Sequence, residues 1–251
     1  MTDPLVLYEV KEQIAYITMN RPDKGNALNK EICGELASIW DRFEQDPEAR
    51  VAVLSGAGKN FCVGLDLTTG PEGVKALFTA MPANGVRVFK PIVSLVHGWV
   101  VGAGFDLACK GGDITIAAES ARFSFPEAAV GIMGDMSPWN VSYMPFKIML
   151  EFQLTTQPIN AQIAFEVGLV NKVVPDTELM NEGIKMAEIL KANAPLSLKA
   201  IKYAAYKAKN GAAAQSAMEF SSWVKPQLES EDMKEGAKAF FERRSPNFTG
   251  K

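Results

Sequence analysis

Two glycine-rich segments of this sequence each end in a carboxylate. One reads Val63-Gly64-Leu65-Asp66, and the other reads Gly102-Ala103-Gly104-Phe105-Asp106. Each comes after an apolar run typical of a buried strand, and glycine there allows the backbone to bend and to point free N–H groups outward. Such amides can stabilise a negative oxygen without any side chain. Taken singly, each segment is equally typical of an ordinary strand-to-helix turn.

Other common catalytic motifs are missing or incomplete. The chain has one histidine, His97, and three scattered cysteines, which excludes a His-rich metal site and a C-x-x-C zinc pair. No G-x-S-x-G motif occurs, and the dinucleotide pattern that begins at Gly102 has Leu107 in place of its third glycine. The phosphate-loop pattern around Gly56 has Asn60 in place of Ser or Thr. Proton transfer, if this chain catalyses it, therefore falls to carboxylates.

The elements that must position these residues alternate between strand and helix in the first two thirds of the chain. Apolar runs predict strands at Leu5 to Val10, Ile14 to Met19, Val51 to Leu54, Pro91 to Val96 and Asp113 to Ala117. Helical spacing predicts a helix capped by Asn29, then helices at Ala161 to Val167, Glu178 to Ala192, Pro195 to Lys209 and Ser230 to Arg243. Glycine and proline at the start of Thr68 to Gly85 predict a mobile loop there.

Length and composition are those of a globular protein. The 251 residues are 47% hydrophobic and 22% charged, which excludes a disordered, collagen-like or coiled-coil chain. The net charge of -3 disfavours nucleic-acid binding. The most apolar stretch, Ile92 to Ala108, is shorter and more polar than the roughly 20 apolar residues of a membrane span. Met1 to Val10 lacks a leader pattern, so we expect a cytoplasmic protein.

Several short blocks along the chain resemble the crotonase superfamily, the enoyl-CoA hydratases and isomerases. They occur in the family's order over nearly the whole sequence, and together they are specific for the superfamily but not for one reaction. The blocks include Asn20-Arg21-Pro22, Asn26-Ala27-Leu28-Asn29, Leu54 to Leu67, His97 to Leu107, Phe123 to Gly131 and Gly168-Leu169-Val170-Asn171.

The resemblance implies an α/β fold with a spiral core of ββα turns and a C-terminal helical region. We expect the spiral core at residues 1–194 and the helical region, which serves oligomerisation within the same structural unit, at residues 195–251. The resemblance further implies a homotrimer or hexamer and an acyl-CoA thioester substrate. No metal or redox cofactor is implied, since coenzyme A is part of the substrate.

The resemblance also assigns site residues. The backbone N–H groups of Leu65 and Ala103 correspond to an oxyanion hole for the thioester oxygen, and Asp106 and Glu127 take the places of a hydratase's two glutamates. Phe240 and Arg243 correspond to residues that contact CoA from a neighbouring subunit in relatives. The full set of predicted CoA-binding residues is Ala27, Val63, Leu65, Leu67, Phe240 and Arg243.

The carboxylates depart from the common hydratase pattern. Asp106 is one methylene shorter than glutamate, and one extra residue lies between it and Glu127, near Lys110. Asp135 stands where hydratases usually have glycine, which is similar to the dienoyl-CoA isomerases. The second aspartate of those isomerases is Ala129 here.

The sequence therefore predicts an enoyl-CoA hydratase and leaves other functions open. In the predicted reaction Glu127 exchanges a proton with the α-carbon while Asp106 activates water. The enzymatic alternative is double-bond isomerisation by Asp135 and Glu127. A protein that binds acyl-CoA without catalysis is an alternative of another class, and a decarboxylase or thioester hydrolase on the same fold is also open.

Overall fold

The computed structural model describes residues 3–83, 87–132, 142–193, 195, 197–203, 205–206, 209, 231–244 and 246. The chain opens with the predicted hairpin, in which β1 (Val6–Lys11) pairs antiparallel with β2 (Ile14–Met19). Helix α1 (Lys30–Gln45) follows, and the Asn29 side chain caps it by accepting a hydrogen bond from Ile32 N at 3.0 Å. The buried face of α1 includes Leu36, Trp40 and Phe43, so the predicted amphipathic helix is confirmed.

Most of the strands form two sheets that the chain visits in turn. The larger sheet has the order β1-β2-β3-β4-β6-β9, and every pair after the first hairpin is parallel. The smaller sheet has the order β5-β7-β8. The remaining strands are β3 (Val51–Gly56), β4 (Ile92–Val96), β5 (Trp99–Val101), β6 (Ile114–Ala118), β7 (Arg122–Ser124), β8 (Ile159–Asn160) and β9 (Lys172–Val174).

This alternation is a spiral of repeated turns. After each long strand of the larger sheet comes a short segment at the smaller sheet: Cys62 after β3, β5 after β4 and β7 after β6. A helix or helical turn follows each short segment. The helices of this part are α2 (Gly70–Ala80) and α3 (Ala103–Phe105), which continues as a π-helical turn (Asp106–Lys110), and a 3-10 turn (Glu127–Val130) completes the series.

The last third of the described chain is mainly helical, as predicted. It contains α4 (Phe146–Thr155), α5 (Ala161–Glu166), α6 (Leu179–Lys191), a helical stretch at residues 197–203 and α7 (Glu231–Glu242). Helix α7 returns to the core, where a Cβ atom on Gly236 would lie only 2.1 Å from Val130 O. The division of the chain between residues 194 and 195 stays a prediction. None of the helices in the described ranges is both long and apolar enough to cross a bilayer.

One predicted element is wrong. Within Thr68 to Gly85, the expected loop, residues Gly70–Ala80 form α2. Proline tolerates the first turn of a helix because its missing N–H has no partner there, and Pro71 stands in that turn. Helix α2 packs against α1, and the indole of Trp40 donates a hydrogen bond to Ala80 O at 2.7 Å.

Candidate active site

The first glycine-rich segment forms a turn whose central amide is free. Gly64 has φ +92°, a left-handed conformation that favours glycine. Around it, Leu28 N donates to Gly64 O and Asp66 N donates to Leu28 O, at 2.8 and 3.0 Å. Within the described ranges the N–H of Leu65 donates no hydrogen bond to the protein.

The second glycine-rich segment forms a similar turn at the start of α3. Gly102 has φ +51°, and its N–H donates to Ser124 O at 3.0 Å. Ala103 is the first residue of the helix, where amides have no intrahelical acceptor, and its N–H has no acceptor among the residues that the structure describes.

The two turns lie side by side. Val101 N donates to Cys62 O at 2.9 Å, which joins the segments directly. A Cβ atom on Gly64 would lie 2.9 Å from Val101 O and 3.8 Å from Ala103 N. Leu65 and Ala103 both line the same cavity. The geometry therefore provides two neighbouring amides that can donate to a molecule bound in that cavity.

Glu127 lies directly against the second turn. It begins the 3-10 turn after β7, and a Cβ atom on Gly102 would lie only 2.6 Å from Glu127 Oε1. A larger residue at position 102 would therefore displace this carboxyl from its present position. Glu127 lines the cavity, while its Oε2 is buried and has no hydrogen-bond partner in the described part of the protein. The hydrogen-bonding capacity of Oε2 is thus left for a molecule in the cavity.

Asp106 also lines the cavity, and its carboxylate is paired with a lysine. The Nζ of Lys110 lies 2.5 Å from Asp106 Oδ1, and the two side chains are only 5% and 8% exposed. Both residues belong to the π-helical turn that continues α3. Asp106 is therefore a buried, ion-paired carboxylate and not a solvent-exposed one.

Burial changes the acidity of both carboxyl groups. Burial and, second, the negative charge of Asp106 raise the pKa of Glu127 to about 8. Burial also raises the pKa of Asp106, while the Lys110 ammonium opposes that rise. A pKa of about 8 favours the protonated form of Glu127 at neutral pH, whereas the neighbouring Asp106 carboxyl is in contact with the Lys110 ammonium.

The cavity has a volume of about 970 Å³, which is large enough for an extended ligand. Five of the predicted CoA-binding residues line it: Ala27, Val63, Leu65, Leu67 and Phe240. Arg243 does not line it, whereas the next residue, Arg244, does. Phe240 and Arg244 belong to the same chain as the rest of the site. Asp135 lies outside the described residues.

Asp66, the carboxylate of the first segment, has a structural role. It accepts hydrogen bonds from Thr68 N and Thr68 Oγ1, and Arg21 Nη1 lies 2.7 Å from its Oδ2. Thr68 and α2 residues Val74, Leu77 and Phe78 also line the cavity. The segment that was expected to be a loop therefore forms part of the cavity wall, mainly through a helix.

Sequence reasoning noticed the extra residue near Lys110 but did not place Lys110 in the site. Lysine four residues after an aspartate on a helix is a common pairing distance, so the spacing contained the signal. Arg244 was also missed. Its guanidinium is held by Glu235 and Glu242 on α7, and no sequence pattern separates it from Arg243.

Comparison with known proteins agrees with the family that the sequence blocks resemble. The sequence model of the family described as enoyl-CoA hydratase/isomerase matches residues 9–251. An (E)-benzylidenesuccinyl-CoA hydratase from Thauera aromatica is 34% identical over 98% of this chain and 99% of its own length. A carnitinyl-CoA dehydratase from Proteus mirabilis is 34% identical over 94% of each chain. The crystal structure of a carnitinyl-CoA hydratase from Mycobacterium avium superposes with a TM-score of 0.89 at 32% identity, covering 100% of both chains.

Proposed function

Because the chain belongs to the enoyl-CoA hydratase/isomerase family, we propose that it is a hydratase that adds water across the double bond of a 2-enoyl-CoA or, in reverse, dehydrates a 3-hydroxyacyl-CoA. The observation that carries this proposal is the buried Glu127 carboxyl packed against the Gly102 turn, in the same cavity as the Leu65 and Ala103 amides. Relatives at 34% identity named as a hydratase and a dehydratase support the same reaction class.

In the proposed reaction the two free amides hold the thioester oxygen. The N–H groups of Leu65 and Ala103 donate to this oxygen, which becomes negative when water adds to C3 and the π electrons of the double bond move into the enolate. Each such donor is typically worth about 10²–10³ in rate. The amides are fixed by the two turns before the substrate binds, so no reorganisation is needed as the charge develops.

The carboxyl groups move the protons. Asp106 accepts a proton from the attacking water, whose oxygen forms the new bond to C3. Glu127 donates its proton to C2, and the enolate electrons form that C–H bond. The substrate gains one water molecule, and a proton transfer from Asp106 to Glu127 restores the site. A neutral Glu127 beside an ionised Asp106 is the protonation state that this direction requires.

The test uses purified protein with crotonyl-CoA, (E)-benzylidenesuccinyl-CoA and a 3,5-dienoyl-CoA, in ¹⁸O-labelled water. Hydration predicts loss of the enoyl absorbance together with label in the product. A shift of the dienoyl absorbance to longer wavelength, without label in the product, would instead indicate the isomerase, because isomerisation keeps both double bonds and conjugates them with the thioester. Glu127→Gln is expected to lower turnover about 10²–10⁴-fold while CoA binding, measured by calorimetry, is retained.

Glu119→Gln is the matched control, because Glu119 is exposed and does not line the cavity. Its turnover should equal that of the unmodified protein. Binding of acyl-CoA without turnover of any of the three substrates would contradict the hydratase and favour the non-catalytic alternative.

A homotrimer or hexamer is part of this proposal. Large apolar side chains on α4 and α5 are exposed in the single chain: Phe146 by 57%, Leu154 by 73% and Phe165 by 47%. Exposed apolar surface of this kind is typical of a protein interface. Light scattering after size exclusion checks the oligomer, and a monomer would contradict it.

A further inference from the structure

The extra residue between the two site carboxylates is accommodated inside a helix. Gly111 N donates to Asp106 O, five residues back, at 3.0 Å, whereas an α-helix would pair it with the residue four back. This wider turn takes up one residue without a loop. Such π-type turns are frequent at functional sites, and this one spans Asp106 and Lys110 themselves.

The turn brings a second charge to the base of the site. The Lys110 ammonium contacts the Asp106 carboxylate at 2.5 Å, and both side chains are almost completely buried. A buried ion pair is weak grounds for stability, because desolvation of two charges offsets most of their attraction. A cation placed this close to one of two neighbouring carboxyl groups does, however, decide which of them is ionised.

We propose that Lys110 is a positioning residue that acts through Asp106: its ammonium orients Asp106 and keeps it ionised, so that the exchangeable proton of the site stays on Glu127. This inference rests on the proposed hydratase function. It explains how an aspartate, one methylene shorter than glutamate, can serve as the base, because the inserted lysine fixes the carboxylate that the water must approach.

The electrostatics of the neighbouring groups agree with this geometry. Burial lowers the pKa of Lys110, and the charges of Asp106, Glu127 and Cys109 oppose that shift. Lys209 lies outside the turn, over the ring of Tyr143. Burial and, second, the positive charge of Lys110 lower the pKa of Lys209. Asp106 and Asp113 are among the charges that raise the pKa of Tyr143. Asp106 is therefore the carboxylate in direct contact with Lys110, and Glu127 the more distant one.

The test compares Lys110→Met and Lys110→Arg with the unmodified protein in two measurements. The first is the titration of the Asp106 and Glu127 carboxyl carbons by ¹³C NMR, which needs no substrate. Lys110→Met should raise the pH at which Asp106 titrates by at least about one unit. In Lys110→Arg, which keeps the positive charge, the Asp106 titration should lie close to that of the unmodified protein. The second is the pH profile of kcat and KM with an enoyl-CoA.

We expect Lys110→Met to lower kcat about 10²-fold at neutral pH, with KM changed less than about threefold and with the acidic limb of the profile moved to higher pH. In a protein that already carries Asp106→Asn, adding Lys110→Met should lower turnover no further than about twofold, because the two residues act through one group. Lys202→Met is the matched control: it removes another buried lysine paired with an aspartate and should leave the Asp106 titration unchanged.

An unmoved Asp106 titration in folded Lys110→Met would overturn the inference, and so would losses that multiply in the double variant. If Lys110→Met does not fold, turnover of the double variant, which removes both charges, is compared with that of Asp106→Asn alone, and a further loss well above twofold overturns the inference. A protein that turns over no enoyl-CoA would defeat the proposed function but would still allow the NMR titration to decide the role of Lys110.

Discussion

Two buried pairs of lysine and aspartate in this protein have the same chemistry and different surroundings. Asp106, which is paired with Lys110, lines the cavity together with a second carboxyl, Glu127. Lys202 and Asp113 lie away from it, at 2.8 Å, where Lys202 also donates to Lys90 O and Asp113 accepts from Ile92 N. The second pair fastens the helical stretch at residues 197–203 to the start of β4.

The difference defines what should separate the ion pair that we propose for catalysis from a structural one. Asp113 binds its lysine and a backbone amide through Oδ2 and does not line the cavity, so it is not placed to act as a base on a molecule bound there. Asp106 has a lysine on one side and the cavity on the other. Access to the cavity and a neighbouring carboxyl, rather than burial or pairing, should therefore determine which aspartate affects turnover.

The largest expected effect comes from exchanging each aspartate for its isosteric amide. Asp106→Asn should lower kcat about 10²–10⁴-fold, because the amide cannot accept the proton of water. Asp113→Asn should leave kcat per folded molecule almost unchanged and should lower the thermal midpoint. Steady-state kinetics together with calorimetry checks both. Equal kinetic losses in the two variants would remove the distinction between the pairs.

The second effect concerns stability at the structural pair. Lys202→Met leaves the half-buried Asp113 without its cation. Breaking a fully buried pair in this way typically costs about 3–5 kcal/mol, and partial exposure of Asp113 reduces that cost. We expect this loss in the free energy of urea unfolding. The double variant Lys202→Met/Asp113→Asn should recover part of it, since no charge is then left unpaired. A double variant less stable than the single would show that the pair is not the source of the loss.

The third effect is a pH dependence that only the catalytic region should show. The folded protein holds a proton on Glu127 up to about pH 8, whereas the unfolded chain releases it near the ordinary glutamate pKa of about 4.3. Between these values the folded state binds more protons than the unfolded state, so the free energy of unfolding falls as pH rises. The decline contributed by this group is at most about 1.4 kcal/mol per pH unit.

Comparing urea unfolding of the unmodified protein and Glu127→Gln at about pH 6 and about pH 8 isolates this contribution. The glutamine variant should gain stability relative to the unmodified protein as pH rises. A stability difference that does not depend on pH would mean that Glu127 has an ordinary pKa and is not the acid of the site.

The fold was more predictable than the site. The crotonase resemblance and the α/β spiral are confirmed by the family match and by structural relatives. They could be predicted because blocks such as Asn26 to Asn29 and Phe123 to Gly131 depend on local requirements of the backbone. The helix α2 was missed because Gly70 and Pro71 are typical of loops as well as of a helix start. Lys110 was missed as a site residue because the sequence does not tell whether an inserted residue forms a loop or a wider helical turn.

The smallest effect belongs to a third ion pair, which lies exposed on α7. Lys234 and Glu231 on α7 approach to 2.6 Å, with side chains 65% and 69% exposed. Water and salt screen such a pair, and holding two long side chains in one geometry opposes the remaining attraction. Lys234→Met should therefore change neither the thermal midpoint nor kcat beyond experimental error. A fall in the thermal midpoint as large as that of Lys202→Met would mean that burial is not the reason why the Lys202–Asp113 pair stabilises the fold. The two lysine–aspartate pairs would then differ only in their access to the cavity.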